Sequence, residues 1–387
     1  MPVEEQVSLD ASRSDALTPA HEPRIAGAAI LYRLYDVGYG INLDRAFDRL
    51  GTSAPERTRP LRGEAQAIRI ANPPLTVGLG ATSVAIEGSS HAVELSARVF
   101  DFGVASLRAT VCPPAGLSWN DFARFGVAVS TSPTWPELFE RQRQHLVERI
   151  APAIERPNQA PVTEDYVVFR VHSLTDESGG RLPTEVLDEA DVARLLLGET
   201  RPLSATARRD LLSPRFTYFE DDLTVMTWNA ALVVEPHVED SDVQYVLEFA
   251  NAQLLELRYY DAVLDAELPR IYDRIAEARH GFHLLGRRYS RLLATLQTQV
   301  ADTTELVEGV ENSLKVTEDV FLARIYAAAL ELFRGRAWRS GIDGKLAIVR
   351  DAYGMLNAES QARRSEALEV IIILLIVLEV VLTLLRY

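Results

Sequence analysis

One stretch, Ala367 to Leu385 (ALEVIIILLIVLEVVLTLL), constrains this chain more than any other. As a helix rising about 1.5 Å per residue it would reach roughly the ~30 Å hydrocarbon core of a bilayer. Only Arg386 and Tyr387 follow it. Such a helix would leave the rest of the chain on one side, so the expectation is a single-pass C-terminal anchor at 367–385, a lipid bilayer as partner, and a cytoplasmic head. Arg363 and Arg364 precede the stretch, Leu368 and Glu369 open it, and Glu379 interrupts it. Glu369 can reach the headgroups, whereas Glu379 would lie past the midplane, where an acid costs on the order of 3 kcal/mol. Protonation near the far interface or a contact between protomers would relieve that cost. A very apolar helix buried inside an oligomer is the competing arrangement.

At 387 residues the chain exceeds one usual core, and two packed units ahead of the terminal helix are expected. A formal charge of −15 argues against a general nucleic-acid surface, which needs clustered lysine and arginine. With Cys112 as its single cysteine the chain can form no internal disulfide and no cysteine-rich zinc site. The start, MPVEEQVSLDASRSD, lacks a secretory apolar core and is acidic where a mitochondrial presequence would be basic.

Residues 1–24 are polar and read as a disordered tail. Residues 25–237 read as an α+β head with an antiparallel sheet. Ile25 to Tyr35 has strand character, and Asn42 to Leu50 has helical spacing after Gly38 and Gly40. Position 43, where a dinucleotide fingerprint needs its third glycine, is Leu43. Short strands are expected at Ala65–Ile70, Thr82–Ile86, Val93–Phe100 and Val104–Val111, and helices at Trp119–Val129 and Trp135–Ile154. A strand at Tyr166–Val171, two short helices and a hairpin around the acidic turn Glu220–Asp222 complete the head.

From Asp242 the period becomes helical. Val243, Val246, Ala250, Leu254, Leu257 and Leu264 repeat at near-heptad spacing, so 238–366 reads as long, coiled-coil-like helices. Pro269 and Gly281 should kink or divide them, and Gly335–Gly344 reads as a turn before a last helix that runs into 367–385. Arg258 and Asp261 lie three residues apart beside this apolar stripe, and a partly buried pair docking the long helix on the head is expected from them.

The chemical signals are weak. His280 and His283 could share a helix face with Glu277, but no further metal ligand is evident. The acidic triplet 220–222 reads as a solvated turn tip. GIDGK at Gly341–Lys345 lacks P-loop spacing, and there is no GxSxG elbow. No catalytic residue, cofactor or metal is therefore assigned. Arg279, Arg287, Arg288 and Arg291 form an uninterrupted basic run that could meet anionic headgroups or simply face solvent.

Three segments carry a resemblance: VLEFANAQLLELRYYDAVLD at Val246–Asp265, VTEDVFLARIYAAALELF at Val316–Phe333, and LNAESQARRSEALEVIIILLIVLEVVLTL at Leu356–Leu384. The C-terminal part resembles the RMD/YagE-like family (required for meiotic nuclear division). The head matches it only in the order of elements and in FDFG at Phe100–Gly103. The resemblance implies a membrane-anchored protein without known catalytic residues. The resulting expectation is a scaffold or adaptor that self-associates through its long helices and presents the head to a protein partner. The alternative is a membrane-associated enzyme with its site in the head, and nucleic-acid contact would require a basic face there.

Overall fold

A computed structural model describes residues 23–51, 55–57, 72–158, 162–187, 189–199, 201, 203–236, 241–280, 294, 298 and 319–385. The expected strand at 65–70 lies outside them, as do His283, most of the basic run and the tail 1–22.

The head is organised on β1 (Arg24–Asp36), the central strand of a ten-stranded sheet among the described residues. β2 (Gly38–Ile41) leads to α1 (Leu43–Leu50), and the edge piece β3 (Glu56–Arg57) precedes β4 (Leu75–Ile86), β5 (Ser89–Val99) and β6 (Val104–Val111). β7 (Leu117–Ser118) pairs with the start of β1 and runs into α2 (Trp119–Ser130), followed by α3 (Trp135–Ile150), β8 (Ile154–Pro157) and β9 (Thr163–Thr175). α4 (Glu189–Leu197), α5 (Ala205–Leu211), β10 (Arg215–Phe216), β11 (Leu223–Met226) and β12 (Ala230–Val234) complete it. The sheet order is β10-β11-β12-β9-β1-β6-β5-β4-β3. Pairing is antiparallel as expected, except that β12 lies parallel to β9. β2 pairs with β8 in a small separate sheet.

Gly38 and Gly40 therefore belong to a strand rather than a phosphate-binding turn. Gly103 explains its own identity: its φ is +95°, and a Cβ there would stand 1.8 Å from the Gly38 carbonyl oxygen. Only glycine tolerates both conditions. The helix starts follow local chemistry. The Asn42 side chain accepts from the Arg45 amide at 3.0 Å, Ser118 caps α2 from the Asp121 amide at 3.2 Å, and Pro136 occupies the first turn of α3.

Strand alternation sorts the core into two layers. Ala29, Leu31 and Tyr35 of β1 pack with Phe122 of α2 and Trp135 of α3. Ala28, Ile30, Tyr32 and Leu34 point to the other face, which is covered by α6 (Asp242–His280) and α7 (Val320–Leu332). Residues 243–257 of α6 are all buried, held between the sheet and α7.

Two expectations about the helices need correction. α6 continues through Pro269 as one helix, and Gly335–Gly344 is not a turn but the beginning of α8 (Gly335–Leu384). The reversal is made one residue earlier by Arg334, in the left-handed region at φ +54°. Gly341 of α8 faces α6 here: a Cβ at that position would lie in ordinary contact, 3.5 Å, with the Asp261 carboxylate. Leu257, Tyr260 and Leu264 pack there against Ile342 and Leu346.

The third correction concerns the anchor. Among the described residues no helix is long and apolar enough to cross a membrane, which overturns the expected span at 367–385 and the membrane localisation drawn from it. The physical reason lies in the two acids. Between Glu369 and Glu379 the uninterrupted apolar run is Val370–Leu378, about 14 Å of helix, less than half of the ~30 Å required. Leu368, Glu369 and Glu379 lie on the C-terminal part of α8.

Candidate functional site

The most unusual chemistry lies where α6 crosses the sheet. Polar side chains seldom sit inside a helix that is buried on every side, because each must find a partner there. Gln244, Glu248, Asn251, Gln253 and Glu256 are all buried on α6. Gln244 donates to the Tyr32 hydroxyl of β1, Gln253 accepts from the Tyr326 hydroxyl of α7, and Asn251 donates to the Leu247 carbonyl at 2.8 Å. Glu248 forms an ion pair with Arg98 of β5. The Arg98 guanidinium also lies 4.7 Å from the Tyr245 ring centre, and its Nε donates to Thr76 Oγ1 at 3.3 Å. Burial pushes the Tyr32 and Tyr245 hydroxyls well above their ordinary range, so both stay protonated.

About two turns beyond that ion pair stands a second acidic constellation, with no cation paired to it among the described residues. Asp36 ends β1 on the face that meets α6, and Glu256 approaches from the helix; they are 1% and 2% exposed. Asn158 Nδ2 donates to Asp36 Oδ1 at 2.6 Å, and the Tyr259 hydroxyl donates to Asn158 Oδ1 at 2.9 Å. Tyr260 donates to Glu256. Asp36 Oδ2 and Glu256 Oε1 are each buried without a hydrogen-bond partner. Burial raises the Asp36 carboxyl to about 7 against the pull of the Gly38 amide and Asn158. Glu256 is raised well above the carboxylate range, first by burial and then by Asp36 itself.

The residues singled out from sequence are distributed differently. Arg258 and Asp261 do not pair with each other in this arrangement. Arg258 bonds Glu164 of β9, which ties α6 to the head, while Asp261 accepts from Lys345 Nζ of α8 at 2.7 Å. Lys345 also reaches Asp265 at 2.6 Å. The side chains of Arg363 and Arg364 lie outside the described residues. Asp222 of the acidic turn accepts from the Tyr218 amide at 2.7 Å, which is a turn contact. Among the described residues no group of three acidic, histidine or cysteine side chains could hold a metal ion.

Sequence reasoning missed Asp36, Arg98, Glu248 and Glu256. The available signal was the density of apolar residues around Glu248 and Glu256: a helix apolar on every side is buried, and polar residues inside it need partners.

Comparison with known proteins adds a family. Residues 26–241 match the model described as "Uncharacterized protein MJ0711, N-terminal domain", more than half of the chain, and the chain belongs to that family. The match ends one residue before α6 begins. A protein of Methanocaldococcus jannaschii, "Uncharacterized protein MJ0711", is 22% identical over 250 residues, covering 64% of this chain and 74% of its own length. No solved structure matches.

Proposed function

We propose that this member of the MJ0711 N-terminal-domain family is an adaptor that self-associates through the end of α8 and carries its α+β head as the surface for a protein partner. The supporting observation is the exposure of that helix. Fifteen apolar side chains from Leu368 to Leu385 are 45% to 79% exposed, on every side of the helix. This is apolar surface on the order of 1,000 Å², compared with the ~800 Å² each partner buries in a standard interface. A single neighbouring helix covers only one stripe, so copies of this chain would meet in a bundle of three or more helices. Glu379 would then sit inside the bundle, where a protonated carboxyl or a bond between copies accommodates it. The near-heptad apolar spacing from Val243 to Leu264 and the lack of site motifs support the same reading.

Sedimentation equilibrium of the full chain tests this reading. The wild type should run as a trimer or larger, and Ile372→Lys with Ile376→Lys should be monomeric with an unchanged head. A monomeric wild type overturns the proposal. So does a wild type that floats with phosphatidylcholine vesicles and does not associate with itself.

A further inference from the structure

We infer that Asp36 and Glu256 form a proton-binding site that closes the joint between the head and α6, with one proton serving both carboxyl groups. They come from elements 220 residues apart and meet where the fully buried part of α6 ends. Asp36 is held by Asn158 and the Gly38 amide and Glu256 by Tyr260, and each keeps one buried oxygen, Oδ2 and Oε1, without a hydrogen-bond partner. Asn158 links Asp36 to Tyr259, about one turn from Glu256, and two buried carboxylates in one such neighbourhood, each with an unpaired acceptor, are costlier than one. A carboxylic acid proton converts one of these acceptors into a donor and removes one of the two charges.

Among the described residues, the surroundings offer the pair no cation that is not already engaged elsewhere. Facing the pair are Tyr39 from β2, Asn158 from the segment after β8, and Tyr259 and Tyr260 from α6, all neutral near pH 7. The positive groups on neighbouring elements are engaged: Arg258 on Glu164, Lys345 on Asp261 and Asp265, and Arg156 over the Tyr39 ring at 4.6 Å. The pair is also distinct from Arg98 and Glu248, which neutralise each other.

The consequence is a joint that loosens as the proton leaves. In the unfolded chain both acids ionise near pH 4, whereas in the folded chain Asp36 is raised to about 7 and burial holds Glu256 well above the ordinary carboxylate range. Between these limits the folded state binds more protons, so stability is greatest at the acid end and declines as pH rises. The decline is at most tenfold in the folding equilibrium constant per pH unit for one proton. Above the range the charged pair forces apart the α6 turn carrying Glu256 and Tyr260 and the end of β1.

Urea unfolding of the full chain from pH 5 to 9 tests the site. The wild type should lose stability with rising pH, Glu256→Gln should flatten that slope, and Asp36→Asn should exceed the wild type at pH 8. Superimposable profiles for wild type and Glu256→Gln would overturn the inference. Should the variants fail to fold, infrared spectroscopy of the wild type at pH 7.5 decides: the band of a protonated buried carboxyl supports the site, and its absence overturns it.

Discussion

The ion pair between Arg98 and Glu248 gives the sharpest energetic prediction, because both side chains have left water almost completely. Their side chains are 8% and 2% exposed, and they join β5 to α6 across the interface that holds the long helix on the head. Glu248→Ala would leave the Arg98 guanidinium buried with only Thr76 and the Tyr245 ring for company. Those contacts recover little of the lost solvation, and stability should fall by about 3 to 5 kcal/mol. Arg98→Met should cost a similar amount, since it strands the carboxylate instead. The double change Arg98→Met with Glu248→Leu removes both charges and keeps the volume filled, so it should fall within about 1 kcal/mol of wild type or exceed it. Urea denaturation of the four proteins at one pH, with equal m-values, supplies the complete cycle. A Glu248→Ala loss below about 1 kcal/mol would show that water reaches the pair, and the argument from burial would fail.

Two other substitutions follow from single contacts. Arg258→Ala should cost only about 1 to 2 kcal/mol in thermal or urea unfolding, because the Arg258 side chain is 37% exposed while its partner Glu164 is 10% exposed; a loss above about 3 kcal/mol would mean the pair is sealed from water. Gly103→Ala combines a disallowed φ with a collision against the Gly38 carbonyl, so it should cost more than about 2 kcal/mol, whereas Gly116→Ala, at positive φ in open space, should cost less; equal melting temperatures would refute the steric part.

What could be read in the sequence was whatever depends on period. The central strands of the head, the helix after Gly40 and the onset of α6 at Asp242 follow from alternation and a change to helical spacing. Tertiary context overrode local signals elsewhere. Pro269 stays inside a helix, and the glycines of 335–344 continue one because Arg334 had already reversed the chain. The apolar end of α8 was conspicuous, but its two glutamates limit the uninterrupted apolar length to Val370–Leu378. Spacing also brought Arg258 and Asp261 together on paper. In three dimensions each found a stronger partner on a different element, Glu164 and Lys345, because a helix packed between a sheet and a second helix offers its neighbouring side chains to different surfaces.

The carboxyl pair shows why the rest was hidden. The pairing of β1 with β9 shifts between Ala26 and Gly27, where β9 carries the extra residue, His172, and a Cβ on residue 27 would stand 2.2 Å from the Arg170 carbonyl oxygen; β1 itself keeps its alternation through this point. Along the whole strand, odd positions such as 25, 29, 31 and 35 turn to the α2 and α3 layer, and even positions such as 28, 30, 32 and 34 turn to α6. Asp36 inherits the even side. A strand displaced by one residue would have turned it toward the other layer, away from Glu256. The site therefore depends on the unbroken alternation of β1 and on a helix that begins more than two hundred residues later, and neither leaves a mark in the residues adjacent to Asp36.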